Sequence, residues 1–192
     1  MASSINASTS GAGGVITTAD NTGTLQLQSG GTTIATISST GLSTQVGSPA
    51  FSAYQSSLQT ISTGTATKVQ FQTEEFDTNS NFDSTTNYRF TPTIAGYYLI
   101  TAGVYYNTSI TSGEVWSMLY KNGSSFRYLG DFNATTGPGQ LYEMNGSCLV
   151  YANGTSDYFE IYTRQDSGSS KVLYANTTQP GVYFSAFLAR SA

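Results

Sequence analysis

Residues 82–106 constrain this chain more than any other stretch. They read FDSTTNYRFTPTIAGYYLITAGVYY: a short strand ending at Phe90, a turn across Pro92 to Gly96, then a long apolar strand over 97–106. Side chains alternate faces along a strand. Tyr98, Ile100, Ala102, Val104 and Tyr106 therefore share one side, and Tyr97, Leu99, Thr101, Gly103 and Tyr105 share the other. The even set is wholly apolar and predicts the core face of a sandwich. The odd set carries more aromatic surface than a solvent-facing strand needs. A second sheet or a second subunit must cover it.

The rest of the chain agrees with an all-β fold. No part of it shows the i, i+3, i+4, i+7 apolar spacing of an amphipathic helix. Threonine, tyrosine and phenylalanine runs alternate with Gly and Asn clusters, the pattern of strands and turns. Strands are expected at 51–56, 68–72, 114–121, 126–129, 140–151, 157–164, 171–174 and 181–189, which with the two above make ten. Segment 114–121 places Trp116, Met118 and Tyr120 on one face. The last strand sets Val182, Phe184, Ala186 and Leu188 against Tyr183 and Phe187, so both its sides read as covered.

Several spaced marks in this region go together: Phe51-Ser52-Ala53, then Phe82-Asp83, then Phe90-x-Pro92-x-x-x-Gly96-x-Tyr98. They are followed by the Lys121-Asn122-Gly123 turn, the Asn153-Gly154 turn before a strand at 158–162, and the closing Val182-Tyr183-Phe184-Ser185-Ala186-Phe187-Leu188. In this order they resemble the signature of the complement C1q globular-head family. The resemblance spans residues 50–192. It departs from the family at Ile100 and Ala102, where aromatics are usual, and at Ala186, where glycine is usual. It implies a ten-stranded jelly-roll sandwich of the tumour-necrosis-factor type, assembled as a tight homotrimer. The surplus apolar residues Tyr97, Leu99, Tyr105, Tyr183 and Phe187 are then the expected trimer interface. Some C1q-like trimers hold calcium near their axis, which directs attention to Asp131, Asp157 and Asp166. No EF-hand spacing is present, and these read as turn aspartates, so no metal is expected.

Gly47-Ser48-Pro49 marks a boundary, and residues 15–49 read as a small β-hairpin attachment segment. Leu25 and Leu27 alternate properly there, whereas Ile34 and Ile37 do not share a strand face. A hairpin of this size is not stable alone. Three copies around an axis would bury Leu25, Leu27 and Ile34 or Ile37 together, as a stalk interface. Short Gly/Thr/Ser-rich segments of this kind resemble the stalks and attachment regions of bacteriophage fibres and capsid-bound proteins. Residues 1–14 are small and polar without pattern, and are expected to be an extended arm tied down by a partner.

Chemistry is scarce. The chain has no histidine, which removes Ser-His and Cys-His nucleophiles and most zinc sites. Carboxylate pairs such as Glu74/Glu75, Asp77/Asp83 and Asp131 with Glu143 fall in turns and polar runs, where solvated surface is the ordinary reading, so no catalytic residue is assigned. Gly11-Ala12-Gly13-Gly14 follows no strand and opens no helix, so it is not a phosphate cradle and no cofactor is expected. Cys148, alone and flanked by Leu149 and Val150, reads as a small core hydrophobe. A net charge of −4 with seven scattered basic residues argues against nucleic acid. No apolar run is long enough to cross a membrane. The first residues have neither the basic nor the apolar region of a secretory leader, so synthesis in a host cytoplasm is expected, and the Asn-x-Ser/Thr sites are read as unmodified.

Together these point to a non-enzymatic homotrimeric bacteriophage virion protein of the capsid decoration or cement type. Residues 1–46 would attach it to the major capsid protein or another virion protein, with the head displayed on the particle surface. Two alternatives stay open: a fibre or receptor-binding protein whose head binds a host surface glycan or protein, and a free lectin-like or signalling C1q-domain protein.

Overall fold

The computed structural model describes residues 3–7, 15–18, 22–41, 43–45, 47–134 and 141–192, and contains strands and no helix among them. It divides into two compact units, Met1–Ser48 and Pro49–Ala192.

The first unit contains β1 (Ser3–Ala7), β2 (Val15–Thr18), β3 (Leu25–Ser29), β4 (Thr32–Ile37) and β5 (Ser43–Gln45), hydrogen-bonded in the order β2-β1-β3-β4-β5. At its centre β3 and β4 are antiparallel, with Leu25 opposite Ile37, and Gly30 and Gly31 take positive φ in the turn. Within the stretch read as an extended arm, Ser3–Ala7 pairs parallel to β3 and antiparallel to β2. A ladder is made by backbone N–H and C=O groups, so a stretch with no apolar alternation can still join one. Residues 1, 2 and 8–14 lie outside the described residues. A bulge in the hairpin places both Ile34 and Ala35 against the Leu27–Gln28 step. The inserted residue breaks strict alternation between Ile34 and Ile37.

The second unit opens with β6 (Ala50–Tyr54), β7 (Gln59–Ile61), β8 (Thr67–Lys68) and β9 (Thr73–Asp77). Next come β10 (Phe82–Asp83), β11 (Arg89–Phe90), β12 (Gly96–Tyr105), β13 (Gly113–Lys121) and β14 (Ser124–Ala134). It ends with β15 (Glu143–Ala152), β16 (Phe159–Gln165), β17 (Lys171–Leu173) and β18 (Tyr183–Ser191). Two layers of five strands face each other, β15-β12-β18-β6-β9 and β10-β11-β16-β13-β14. The short β8 hangs on β16, and β7 pairs with β17. The strand expected at 68–72 divides: Lys68 ends β8, Val69 and Phe71 turn into the core outside any strand, and β9 begins at Thr73.

The even face of β12 is the core. Tyr98, Ile100, Ala102, Val104 and the following Tyr106 are each at most 1% exposed. Facing them, Phe51 stacks on Phe82 at 4.7 Å and on Phe90 at 4.6 Å, and meets Phe184 edge-on at 4.9 Å. Sequence marks spread over more than half the chain thus meet in one aromatic cluster, and such pairs contribute ~0.5–1.5 kcal/mol each beyond area burial. Cys148 lies in the same core.

The two Asn-Gly turns are locked together at one end. Asn122, at φ 54°, donates from Nδ2 to Asp157 Oδ1 (2.8 Å) and accepts the Tyr158 N–H (2.9 Å). Asp157 Oδ2 takes Lys121 Nζ at 2.9 Å and the Asn153 N–H at 3.0 Å. Gly154, at φ 72°, lies so close to the backbone of Ala95 that a Cβ would overlap it. The Lys-Asn-Gly turn, the Asn-Gly turn and the approach to Gly96 are therefore one assembly.

Asp83 explains why an acid follows Phe82. Its carboxylate accepts the N–H groups of Thr86 (2.9 Å), Thr85 (3.0 Å) and Asn87 (3.1 Å), the Thr85 hydroxyl (3.1 Å) and Asn87 Nδ2 (2.7 Å). The Thr86 N–H foremost, with the other donors, holds it well below the ordinary carboxylate value of 3.8. A depressed folded-state value contributes stability above the unfolded value and loses it as pH falls. Asp83→Ala is therefore expected to be less stable than the parent at neutral pH, with the gap narrowing as pH falls below 3.8. Denaturant titrations across that range test this; a gap that stays constant or widens in acid contradicts it.

Candidate functional site: an apolar sheet face

The outer face of the β15-β12-β18-β6-β9 layer follows from register. Across it, Leu149, Leu99 and Phe187 stand side by side, with Ala50 beyond them. Tyr151, Tyr97 and Arg190 form the next row, and Ser147, Thr101, Ser185, Ser52 and Phe76 the row on the other side. In the single chain Tyr97, Leu149, Tyr151, Phe187 and Phe76 are each 42–56% exposed. Contiguous apolar surface of this kind marks an interaction site. The face is dented, not flat. A depression of about 260 Å³ lies between Phe76, Leu99 and Phe187, and a larger recess of about 530 Å³ between Tyr97, Leu149 and Arg190.

Of the five expected interface residues, the structure brings Tyr97, Leu99 and Phe187 together here. Tyr183 is on the same face but lies down over Gly103, half-buried, its hydroxyl 3.4 Å from Asn145 Oδ1; burial pushes its phenol above the ordinary value. Tyr105 is at the far end, where its own chain covers it: its ring is 5.1 Å from that of Tyr174 and packs beside Gly181. Leu149, Tyr151 and Phe76 were not singled out from sequence. The alternation Leu149-x-Tyr151 held the signal for two of them; Phe76 joins only through pairing of β9 with β6.

In the first unit Leu27, Ile34 and Ile37 are 37–49% exposed, and Leu25, opposite Ile37, is half-buried. A single copy leaves this hairpin largely uncovered.

Carboxylates in the second unit have structural partners. Glu75 accepts from the Ser52 hydroxyl and Glu74 from that of Ser84, both at 2.6 Å, and Asp77 takes the Phe82 N–H at 2.7 Å. Among the described residues no three His, Cys, Asp or Glu side chains converge as metal ligands. Asp157 is engaged by the turns and Asp166 by Arg164 at 2.9 Å, while Asp131 lies beside Trp116 on the other layer. Among the described residues no helix is long and apolar enough to cross a membrane.

Neither a family model nor a curated protein sequence matches the chain. Solved structures do. The globular domain of zebrafish complement 1qA superposes with a TM-score of 0.53 at 17% identity, covering 75% of this chain and 99% of that one. The Eiger TNF of S. frugiperda superposes with 0.55 at 9% identity, covering 76% and 94%. The PRD1 vertex protein P5 superposes more loosely, at 0.47 and 16% identity, over 74% and 97%. Two five-stranded layers, one aromatic core and the first two superpositions agree: the second unit is a jelly roll of the C1q and tumour-necrosis-factor type.

Proposed function

We propose that the chain is a non-enzymatic homotrimeric virion structural protein of the capsid decoration type, attached through residues 1–48 and displaying the jelly-roll head outward. The observation that carries this reading is the uncovered row Leu149–Leu99–Phe187 with Tyr97, Tyr151 and Phe76 around it. Fully burying one such side chain contributes ~1.5–3 kcal/mol, and half-exposed ones leave roughly half of that unrealised. A closed threefold arrangement recovers it without leaving an open end for further growth. The exposed Leu27, Ile34 and Ile37 of the hairpin support the same symmetry, since three hairpins around an axis give them cover. Three attachment units on one trimer engage a particle together, so weak single contacts sum. The Gly/Thr/Ser-rich composition of that segment, similar to phage attachment regions, favours a particle as the partner. The carboxylates Glu74, Glu75 and Asp77 are each taken up by hydroxyl or backbone N–H donors and not set against one another as an acid–base pair, which favours a structural role over catalysis.

The test is incorporation. A chain lacking residues 1–48 is expected to remain folded, soluble and trimeric yet fail to join virus particles stripped of this protein, while the full chain rejoins them. Normal incorporation of the truncated chain removes the attachment role. Labelling the full chain on intact particles and imaging them by electron microscopy distinguishes a capsid lattice position from a tail position.

A further inference from the structure

The opposite layer carries a second feature, which the proposed trimer contact does not involve. On the outer side of β13, Trp116, Met118 and Tyr120 form the column expected from sequence. Met118 is opposite Tyr128 on one side and Tyr162 on the other. The Tyr120 and Tyr162 rings stack at 3.9 Å and 21°, and Trp116 meets Tyr128 edge-on at 6.0 Å. An outward sheet face ordinarily alternates to polar residues. Here it is a carpet of rings in which Trp116 and Met118 are already covered and Tyr128, 54% exposed, forms the crest. Beside that crest is a cleft of about 160 Å³ lined by Met118, Ser125, Phe126, Arg127 and Tyr128.

The cations on this face are paired with acids or lie over aromatic rings. Lys68 pairs with the buried carboxylate of Glu160 at 2.5 Å and Arg164 with Asp166 at 2.9 Å. Arg89 lies over the Tyr158 ring at 4.5 Å, and Arg127 over Phe126 at 5.7 Å. Asp131 adds an acid next to Trp116. A phosphate, sulfate or nucleic-acid partner needs a cluster of uncommitted cations, and none is present in this arrangement. The exposed apolar strip is one or two rings wide, which is narrow for a protein partner, whose interface needs on the order of 800 Å² from each side.

We infer that the outer face around Tyr128, Phe126 and Met118 binds a neutral glycan chain. The exposed rings offer flat apolar faces to the C–H side of a sugar ring, and the cleft beside Tyr128 has room for one such ring. Ser125, the Arg127 guanidinium and the tyrosine hydroxyls supply hydrogen bonds to sugar hydroxyls without demanding charge. Aromatic rings with a polar tip suit a ligand that is apolar on one side and wet on the other. The inference does not rest on the trimer, because the face belongs to the other layer. In a trimer three copies would act together, so a weak site would still hold a repetitive surface polysaccharide.

Trp116 is the chain's one tryptophan and lies against the proposed site, so its fluorescence reports occupancy. The full chain is titrated with neutral oligosaccharides built from glucose, galactose, N-acetylglucosamine or rhamnose, with sialylated and sulfated oligosaccharides as parallel arms. The expected result is a saturable change in Trp116 emission with at least one neutral sugar, weakened roughly three- to tenfold by Tyr128→Ala, the loss of one ring contact. Phe126→Ala is expected to act in the same direction. Both rings are exposed, so the variants should keep the parent's thermal midpoint and oligomeric state. Binding confined to the charged sugars, capture of a protein but no sugar, no saturable response, or neutral-sugar binding indifferent to both substitutions would each overturn the inference. Since the oligomeric state is measured on the same samples, failure here is separable from failure of the trimer.

Discussion

Ile100→Ala is expected to lower the unfolding free energy of the head by ~2–5 kcal/mol. Ile100 is fully buried at the centre of β12, with Cys148 opposite it on β15 and Ala186 opposite it on β18. Both neighbours are small, so the isoleucine fills the width of the core at this level and neither flank can expand into the space it leaves. The cost then combines the lost transfer of the removed methyl and methylene groups with a cavity that does not collapse. A C1q-like domain with an aromatic at this level and a glycine at the Ala186 position would fill the same volume differently, which gives the departures noted at Ile100 and Ala186 a common explanation. Denaturant unfolding of the two proteins, compared at fixed protein concentration, measures the difference. An unchanged midpoint would mean that the even side of β12 is not the core.

What could be read from sequence was what depends on near neighbours. Alternation in 97–106 set the even residues inside, and the Asn122-Gly123 and Asn153-Gly154 pairs marked turns because each requires positive φ. What could not be read depends on which strands pair. Ser3–Ala7 has no apolar period, yet it joins a sheet through its backbone. Lys68 and Phe71 look like one strand, but the chain leaves β16 after the Val69 N–H bonds the Ile161 carbonyl at 2.8 Å, and it buries Val69 and Phe71 before pairing with β6. The same limit applies to the site. Tyr97, Leu99 and Phe187 were visible as surplus on their own strands. Leu149, Tyr151 and Phe76 complete the patch only because β15 and β9 flank the layer, and Tyr105 leaves it only because Tyr174 returns to cover it. Asp157 is the clearest case. Alone it reads as a turn aspartate, whereas in the fold it joins two turns separated by some thirty residues of sequence.

The proposed trimer predicts the other large effect. The full chain is expected to scatter light as a stable trimer at micromolar concentration, and Leu99→Asp is expected to yield monomer or aggregated, misfolded protein. Leu99 occupies the middle of the apolar row, between Leu149 and Phe187, and borders the depression next to Phe76. A carboxylate there would be enclosed on assembly with no cation in its row; the nearest on this face, Arg190, is paired across from Tyr97 in the next. Burying an unpaired charge costs several kcal/mol, and threefold symmetry imposes that cost three times around one axis. Tyr97→Ala removes a ring that also leans on Tyr151 at 5.6 Å, near the rim where Arg190 is exposed, so it should weaken the trimer less. Leu149→Asp tests the patch independently, since Leu149 is more than half exposed in the single chain and its substitution leaves the monomer's own core untouched. If Leu149→Asp remains folded and becomes monomeric, the face is the subunit interface. A parent protein that is itself a folded monomer at the same concentration would leave the row Leu149–Leu99–Phe187 without a partner of its own kind, and the threefold attachment argument would go with it.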